Sequence, residues 1–354
     1  LNKIKGDWDQ DILADLLSDL VTDPAIDATL TGFGGAEIEH LTGGLDALQG
    51  LDLDDLSDAE VSGPPVTRPG DLVVLGRDDE HRLACGDVTD PSAVAALMGD
   101  VRASVCHTDP PYGVRYDPRN RPSPRGRQRQ RRKSSGAGAE AVDAKPSKLR
   151  GSSACPIRND DLTPKQYANW FPRVADAIAE ALIPGGAFYL WNAHRNFGLM
   201  HDVLTQRQLK VSSTIVWAKE SFSPGFGDYH EQVEFCMYGF KAGARHRWYG
   251  PRNASTLWSV QRARQYNHPT QKPLELAERA VRNSSRRGEV VFDPFLGSGT
   301  TLLAAQLLGR RCYGMEIDPR HCDTAVRRFI AMAGASAVSP EVAERYRVVE
   351  KEVV

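Results

Sequence analysis

The six cysteines of this chain (Cys85, Cys106, Cys155, Cys236, Cys312 and Cys322) include no Cys-x-x-Cys pair, and most sit in apolar runs. That argues against a zinc site and for reduced thiols in a cytosolic setting. No apolar run approaches ~18 residues, so no membrane-spanning helix is expected. The start also lacks the charged-then-apolar order of a secretory leader. A phosphate-binding Gly-Lys-Ser/Thr sequence is missing. So is the third glycine or alanine of a dinucleotide fingerprint, because Leu302 stands in that place after Gly297-Ser298-Gly299. Pyrophosphate cofactors are thereby disfavoured.

Acid and base are unevenly distributed. The net charge of −2 conceals 15 acidic and 2 basic side chains in residues 1–60, against 31 acidic and 42 basic in the remainder. A basic body suits a polyanion such as nucleic acid. The acidic start carries Trp8, Ile12, Leu13, Leu16, Leu17 and Leu20 at helical spacing, which predicts short helices that pack on a neighbour or carry a partner rather than contact DNA. The abrupt opening at Leu1 within such a pattern suggests a missing upstream part. At 354 residues the chain is long enough for one large domain and an appendage. The expected division is a segment and linker at 1–65, a main domain at 66–335 and a peripheral tail at 336–354.

Two stretches organise the main domain. Thr108-Asp109-Pro110-Pro111-Tyr112 follows an apolar run, Val101 to Cys106, and its prolines stiffen a turn just past a strand end. Asp293-Pro294-Phe295-Leu296-Gly297-Ser298-Gly299-Thr300-Thr301 follows the strand-like Glu289 to Phe292, and its glycines let a ligand approach backbone before a helix starts. Glu316, at the next strand end, offers a carboxylate for both hydroxyls of a ribose. An adenosine-containing cofactor without pyrophosphate fits this set.

Asp-Pro-Pro-Tyr followed by Phe-x-Gly-x-Gly-Thr-Thr resembles the β class of amino-group DNA methyltransferases, over about Gly70 to Ala333. The kind resembled is that of phages and mobile elements, often fused to a ParB-like module. The resemblance implies an α/β, Rossmann-like fold with a mostly parallel seven-stranded sheet, permuted so that the catalytic half comes first. It also implies S-adenosylmethionine as cofactor, double-stranded DNA as substrate and adenine N6 as the acceptor, reached by base flipping. Asp109 and the Pro110 carbonyl would hold the amine, Pro111 would stiffen the turn, and Tyr112 would stack on the base. Asp87, Thr270, Gln271, Lys272, Asp293, Phe295, Gly297, Ser298, Gly299, Thr300, Thr301 and Glu316 would line the cofactor. Asp87 is also readable as a turn or cap aspartate, and Asp293 as strand-end structure. No metal is required.

DNA contacts are expected from three places. The basic low-complexity insert at 117–156 includes Arg125, Arg127, Arg129, Arg131, Arg132 and Lys133. The loop after Phe222 carries Phe226 and Tyr229. The region 243–266 holds Arg245, Arg247, Arg262 and Arg264 among aromatics. A homodimer, an upstream ParB-like module and a partner restriction enzyme are further candidate partners, with a cytoplasmic, nucleoid-associated location. A cytosine-C5 enzyme is rejected, since Cys155-Pro156 reverses the needed Pro-Cys order. The rivals are a cytosine-N4 enzyme, an RNA or protein-glutamine methyltransferase (families that usually place the glycine turn first), and a non-catalytic DNA-binding partition-type protein.

Overall fold

A computed structural model describes Leu13, Leu17, Leu20, Thr31 and Phe33, and residues 64–77, 80–113, 158–223, 228–260 and 272–347. The basic insert, Phe226, Arg262, Arg264, Thr270 and Gln271 lie outside the described residues.

The hairpin β1 (Leu72–Leu75) and β2 (His81–Cys85) leads to α1 (Pro91–Met98) and β3 (Ala103–Thr108). Then follow α2 (Pro164–Ala181), β4 (Leu182–Asn192), α3 (Phe197–Gln206), β5 (Leu209–Ser223), β6 (Glu231–Lys241) and β7 (Leu257–Ser259). The last stretch runs α4 (Leu274–Ser284), β8 (Val290–Asp293), α5 (Thr300–Leu307), β9 (Arg311–Glu316), α6 (Pro319–Ala333) and α7 (Pro340–Arg345). Four helices start on the same local device, a capping side chain followed by proline: Asp90-Pro91, Thr163-Pro164, Asp318-Pro319 and Ser339-Pro340. The cap satisfies an orphan N–H, and the proline has none to satisfy.

The strands form one sheet in the order β1-β2-β9-β8-β3-β4-β6-β5-β7. Pairing is parallel from β2 through β9, β8 and β3 to β4, and antiparallel at β1–β2, β4–β6 and β6–β5. The expected seven strands are thus flanked by the short edge strands β1 and β7. Every residue of β3 is buried, as a central parallel strand requires. One face packs against α1, α2 and α3 through Leu97, Phe171 and Leu204, and the other against α4 to α6 through Leu276, Leu303 and Phe329.

Locally, Pro184-Gly185-Gly186 reads as a break before a strand from Ala187 to Trp191, and the segment after Ala333 reads as peripheral; the structure changes both. β4 begins at Leu182 and runs through Pro184-Gly185-Gly186, because Gly185 at φ +77 absorbs an irregularity where the β3 register shifts. The segment after Ala333 is not peripheral: Ala337, Val338 and Tyr346 lie in the core, and the Tyr346 hydroxyl is 2.8 Å from Thr67 Oγ1. Burial of a large aromatic with its hydroxyl paired is what docks this last helix.

Gly239 of β6 faces the Lys210 carbonyl oxygen and the Phe188 ring so closely that a Cβ there would overlap both. Gly239→Ala is expected to destabilise the fold by about 1–3 kcal/mol, as overpacked cores do. Urea titration checks this, and an unchanged midpoint would contradict so tight a packing of β4, β6 and β5.

Candidate active site

Parallel pairing brings the C-terminal ends of β2, β9, β8, β3 and β4 to one edge, where ligands bind in open α/β sheets. Asp87, Glu316, the glycine turn and Asp109 follow those ends in order. β3 and β8 are neighbours, so two motifs far apart in the chain meet. Thr108 Oγ1 donates to Asp293 Oδ1 at 2.7 Å across 185 residues of sequence.

Beneath that bond runs a buried polar chain. Trp191 Nε1 donates to His107 Nε2 at 3.1 Å, which leaves the imidazole proton on Nδ1. That nitrogen is 3.0 Å from Thr301 Oγ1, and Thr301 in turn bonds Asp293. Burial, with Lys272 nearby, lowers the His107 pKa to about 3, so the ring is neutral. Burial raises the Asp293 pKa to about 6 against the donors Thr301, Thr108 and the Phe295 N–H. Asp293 and Thr301 therefore brace the two turns from inside through hydrogen bonds to protein partners.

The glycine turn itself is open. Gly297 has φ +54, and a Cβ added there would meet nothing within 4 Å. Its N–H donates to Glu316 Oε2 at 2.9 Å, and the Asp318 N–H donates to Oε1 at 2.8 Å. These two bonds fix the carboxylate at the rim. Gly299 (φ +91) lies against Ala325 of α6, while the Ser298 carbonyl and hydroxyl accept from Arg328 at 2.8 and 3.1 Å. Ser298 is thus held by α6. Thr300 opens α5. The Phe295 ring lies 5.7 Å from that of Trp170. Asp87 Oδ1 accepts from the Thr89 N–H and hydroxyl, both at 2.8 Å. It adopts the turn geometry while remaining at the edge shared with Glu316.

At the Asp-Pro-Pro-Tyr turn, Tyr112 O–H donates to Asp109 Oδ1 at 2.6 Å, and Lys272 Nζ pairs with Oδ2. Lys272 also reaches Glu234 Oε2 at 3.2 Å and the Tyr112 hydroxyl at 3.2 Å. Glu234 Oε1 pairs with Lys219 Nζ at 2.5 Å. The ammonium of Lys272, expected at the cofactor's methionine end, is thus engaged by two protein carboxylates, Asp109 and Glu234. Removal from water lifts the Asp109 pKa in spite of Lys272, and Glu234 adds to the lift. Burial would also lift Glu234, but Lys272 and Lys219 outweigh it and hold the pKa down to about 2. Burial opposes the charge of Lys272, yet Asp109 and Glu234 raise its pKa overall. Asn196 Nδ2 donates to the Tyr112 carbonyl at 2.8 Å, and Arg195 donates to that of Gly113 at 2.5 Å, clasping the far side of the turn.

Of the expected DNA contacts, Tyr229 stands at the catalytic edge and is 93% exposed, since β5 ends and β6 begins there. Arg245 and Arg247 do not reach that edge. Arg247 pairs with Glu289 and donates to Ser104 Oγ at 3.4 Å, and Arg245 passes against Gly185; these partners mark the opposite ends of β3, β4 and β8. The antiparallel course of β6 carries the chain to that far end before β7 returns. Composition alone showed arginines among aromatics and could not show which end they occupied. Lys219 and Glu234 were missed, although each stands two residues from a buried side chain (Trp217, Cys236) on the same strand face. A charge at an inward strand position is the signal that was available.

The family model described as DNA methylase, of the N6/N4 methyltransferase class, matches residues 103–327. The chain belongs to this family. Residues 11–69 match the ParB-methyltransferase HTH domain, so the acidic segment has a helix-turn-helix counterpart that its composition did not disclose. Among curated relatives, type II methyltransferase M2.MboI of Moraxella bovis is 27% identical over 171 residues, 43% of this chain and 63% of that protein. DNA adenine methyltransferase YhdJ of Escherichia coli K12 is 26% identical over 205 residues, 48% of this chain and 69% of the relative. The chain thus spans just under two thirds of M2.MboI. Among solved structures, the cytosine-N4-specific PvuII DNA methyltransferase matches with a TM-score of 0.52 at 14% identity, over 75% of this chain and 92% of that one, a likeness of fold.

Because burial lifts the folded pKa of Asp293 to about 6, above the ordinary aspartate value of about 3.8, its contribution to stability is fully present below pH ~3.8 and is lost as pH rises through about 6. Asp293→Asn is expected to remove a pH-dependent term of about 2 kcal/mol from the stability difference between pH 4 and 7.5. Urea titrations across that range test this, and a slope identical to wild type would refute it.

Proposed function

We propose that this chain is a site-specific methyltransferase that acts on adenine N6 in double-stranded DNA, with S-adenosylmethionine as methyl donor. The observation that carries the reading is the pairing of β3 with β8, which sets the Asp109 turn beside the open Gly297 turn. The residues fit the cofactor: Gly297 leaves room for close backbone approach, and the fixed Glu316 carboxylate can accept from a diol. Phe295 and Asp87 stand at the same edge for the adenine. The cofactor supplies an electrophilic methyl group on a sulfonium that departs as a neutral thioether.

The protein's part is to make a poor nucleophile competent. An exocyclic amine has its lone pair delocalised into the ring. Asp109, whose two oxygens already accept from Tyr112 and Lys272, has a second lone pair on each for an N–H. With the Pro110 carbonyl accepting the other N–H, the nitrogen is held nearer to tetrahedral and its lone pair is aimed at the methyl. Transfer would form the nitrogen–methyl bond as the sulfur–carbon bond breaks, and the proton shed by the nitrogen would pass to solvent. Tyr112 is the stacking surface for the extruded base, and Tyr229 and Phe226 are candidates to receive or fill behind it. Adenine is favoured over cytosine N4 by the leading Asp109 and by the adenine activity named for one relative. A DNA substrate implies a cytoplasmic, nucleoid-associated location.

Two experiments test this reading. Duplex DNA treated with labelled cofactor and digested to nucleosides should yield N6-methyladenine, and Asp109→Ala should lower the rate at least ~100-fold. Label in N4-methylcytosine would change the base, and label only in RNA or protein would sink the DNA reading. Deletion of residues 119–133, which carry eight Arg or Lys, should weaken DNA binding and flatten the dependence of log K on log salt. An unchanged salt slope would remove this segment from the interface.

A further inference from the structure

We propose that Glu234 and Lys219 are positioning residues for methyl transfer: Glu234 divides the Lys272 ammonium between itself and Asp109, and so sets the orientation and acceptor strength of the Asp109 carboxylate. The inference rests on the proposed reaction at Asp109.

Four charged groups lie in a row from Asp109 through Lys272 and Glu234 to Lys219, two negative and two positive. Side-chain exposure is 10% for Lys272, 7% for Lys219 and 24% for Glu234. Buried charge of this kind is expensive unless paired, and an apolar set would stabilise the fold as well or better. The row ends on the one carboxylate that the reaction uses, which gives it a task beyond stability. Its geometry is held from two strands and a helix start. Trp217 and Glu234 are register partners across β5 and β6, which places Lys219 two residues further along β5 from Trp217 on the same face. Lys272 immediately precedes the proline that opens α4, and its Nζ lies 5.1 Å from the centre of the buried Trp191 ring. Without Glu234, Lys272 would bind Asp109 alone and more tightly, leaving that carboxylate a weaker acceptor for the amine. Without Lys219, Glu234 would draw Lys272 away from Asp109.

The two removals therefore push Asp109 in opposite directions. Among the described residues, the other titratable groups that face it are Tyr112 on its own turn, Cys236 of β6, Asp293 of β8 and Tyr167 of α2, while His107 of β3 faces Lys272. Both variants leave these in place.

The test measures methyl transfer to duplex DNA from pH 5 to 9 for wild type, Glu234→Gln and Lys219→Met, with cofactor affinity measured by calorimetry. Glu234→Gln should lower kcat by about 10- to 100-fold, leave the Kd for S-adenosylmethionine unchanged, and move the acid limb of the kcat profile to lower pH. Lys219→Met should move that limb to higher pH. A merely structural role would depress both variants without opposite shifts. Carbon-13 NMR titration of the Asp109 carboxylate in the ligand-free protein reads the same pair of shifts without any turnover. Limbs that move the same way or not at all overturn the inference, as do NMR shifts of the same sign. Absence of methyl transfer by wild type, with opposite NMR shifts intact, would overturn the reaction and leave the charge row standing. If Glu234→Gln does not fold, the direction of the shift in Lys219→Met decides.

Discussion

The hydrogen bond from Thr108 to Asp293 is where the two halves of this protein become one site. It spans 185 residues of sequence but only the gap between two neighbouring parallel strands. Parallel pairing aligns strand ends, so anything that follows β3 and anything that follows β8 must share an edge. The buried chain through Trp191, His107 and Thr301 stiffens that junction from within. Each member finds a partner there, and a buried polar group that lost its partner would cost as much as the bond it lacked.

The charge row above this junction illustrates a different balance. Asp109, Lys272, Glu234 and Lys219 sum to zero, which is what permits four charges at the inner edge of a sheet lined by Trp191 and Trp217. Loss of any one would leave an uncompensated charge in a region of low dielectric. The arrangement is thus constrained by electrostatics as well as by whatever chemistry Asp109 performs. It also leaves the Lys272 ammonium held between two protein carboxylates.

Much of the architecture was legible beforehand because it is written in local signals. The Asp-Pro-Pro-Tyr and glycine turns marked strand ends, and apolar runs marked β3 and β8. The errors had one kind of cause. Pro184-Gly185-Gly186 reads as a break, yet Gly185 lets β4 pass through it. The tail after Ala333 reads as surface, yet Tyr346 finds a buried partner in Thr67. Arg245 and Arg247 read as interface, yet an antiparallel strand carried them to the end of the sheet away from the site.

The sequence by itself determined that β3 and β8 are strands, where backbone approaches a ligand, and which carboxylates stand at strand ends, because these follow from side-chain sterics and period within a few residues. Only the tertiary structure decided who meets whom. That Asp109 faces Lys272, that Lys272 is shared with Glu234, and that Asp293 turns inward to Thr108 and Thr301 depend on strand order and pairing direction. Those are properties of contacts between segments distant in sequence, and a charge or hydroxyl acquires its partner, its pKa and its role only when that packing is complete.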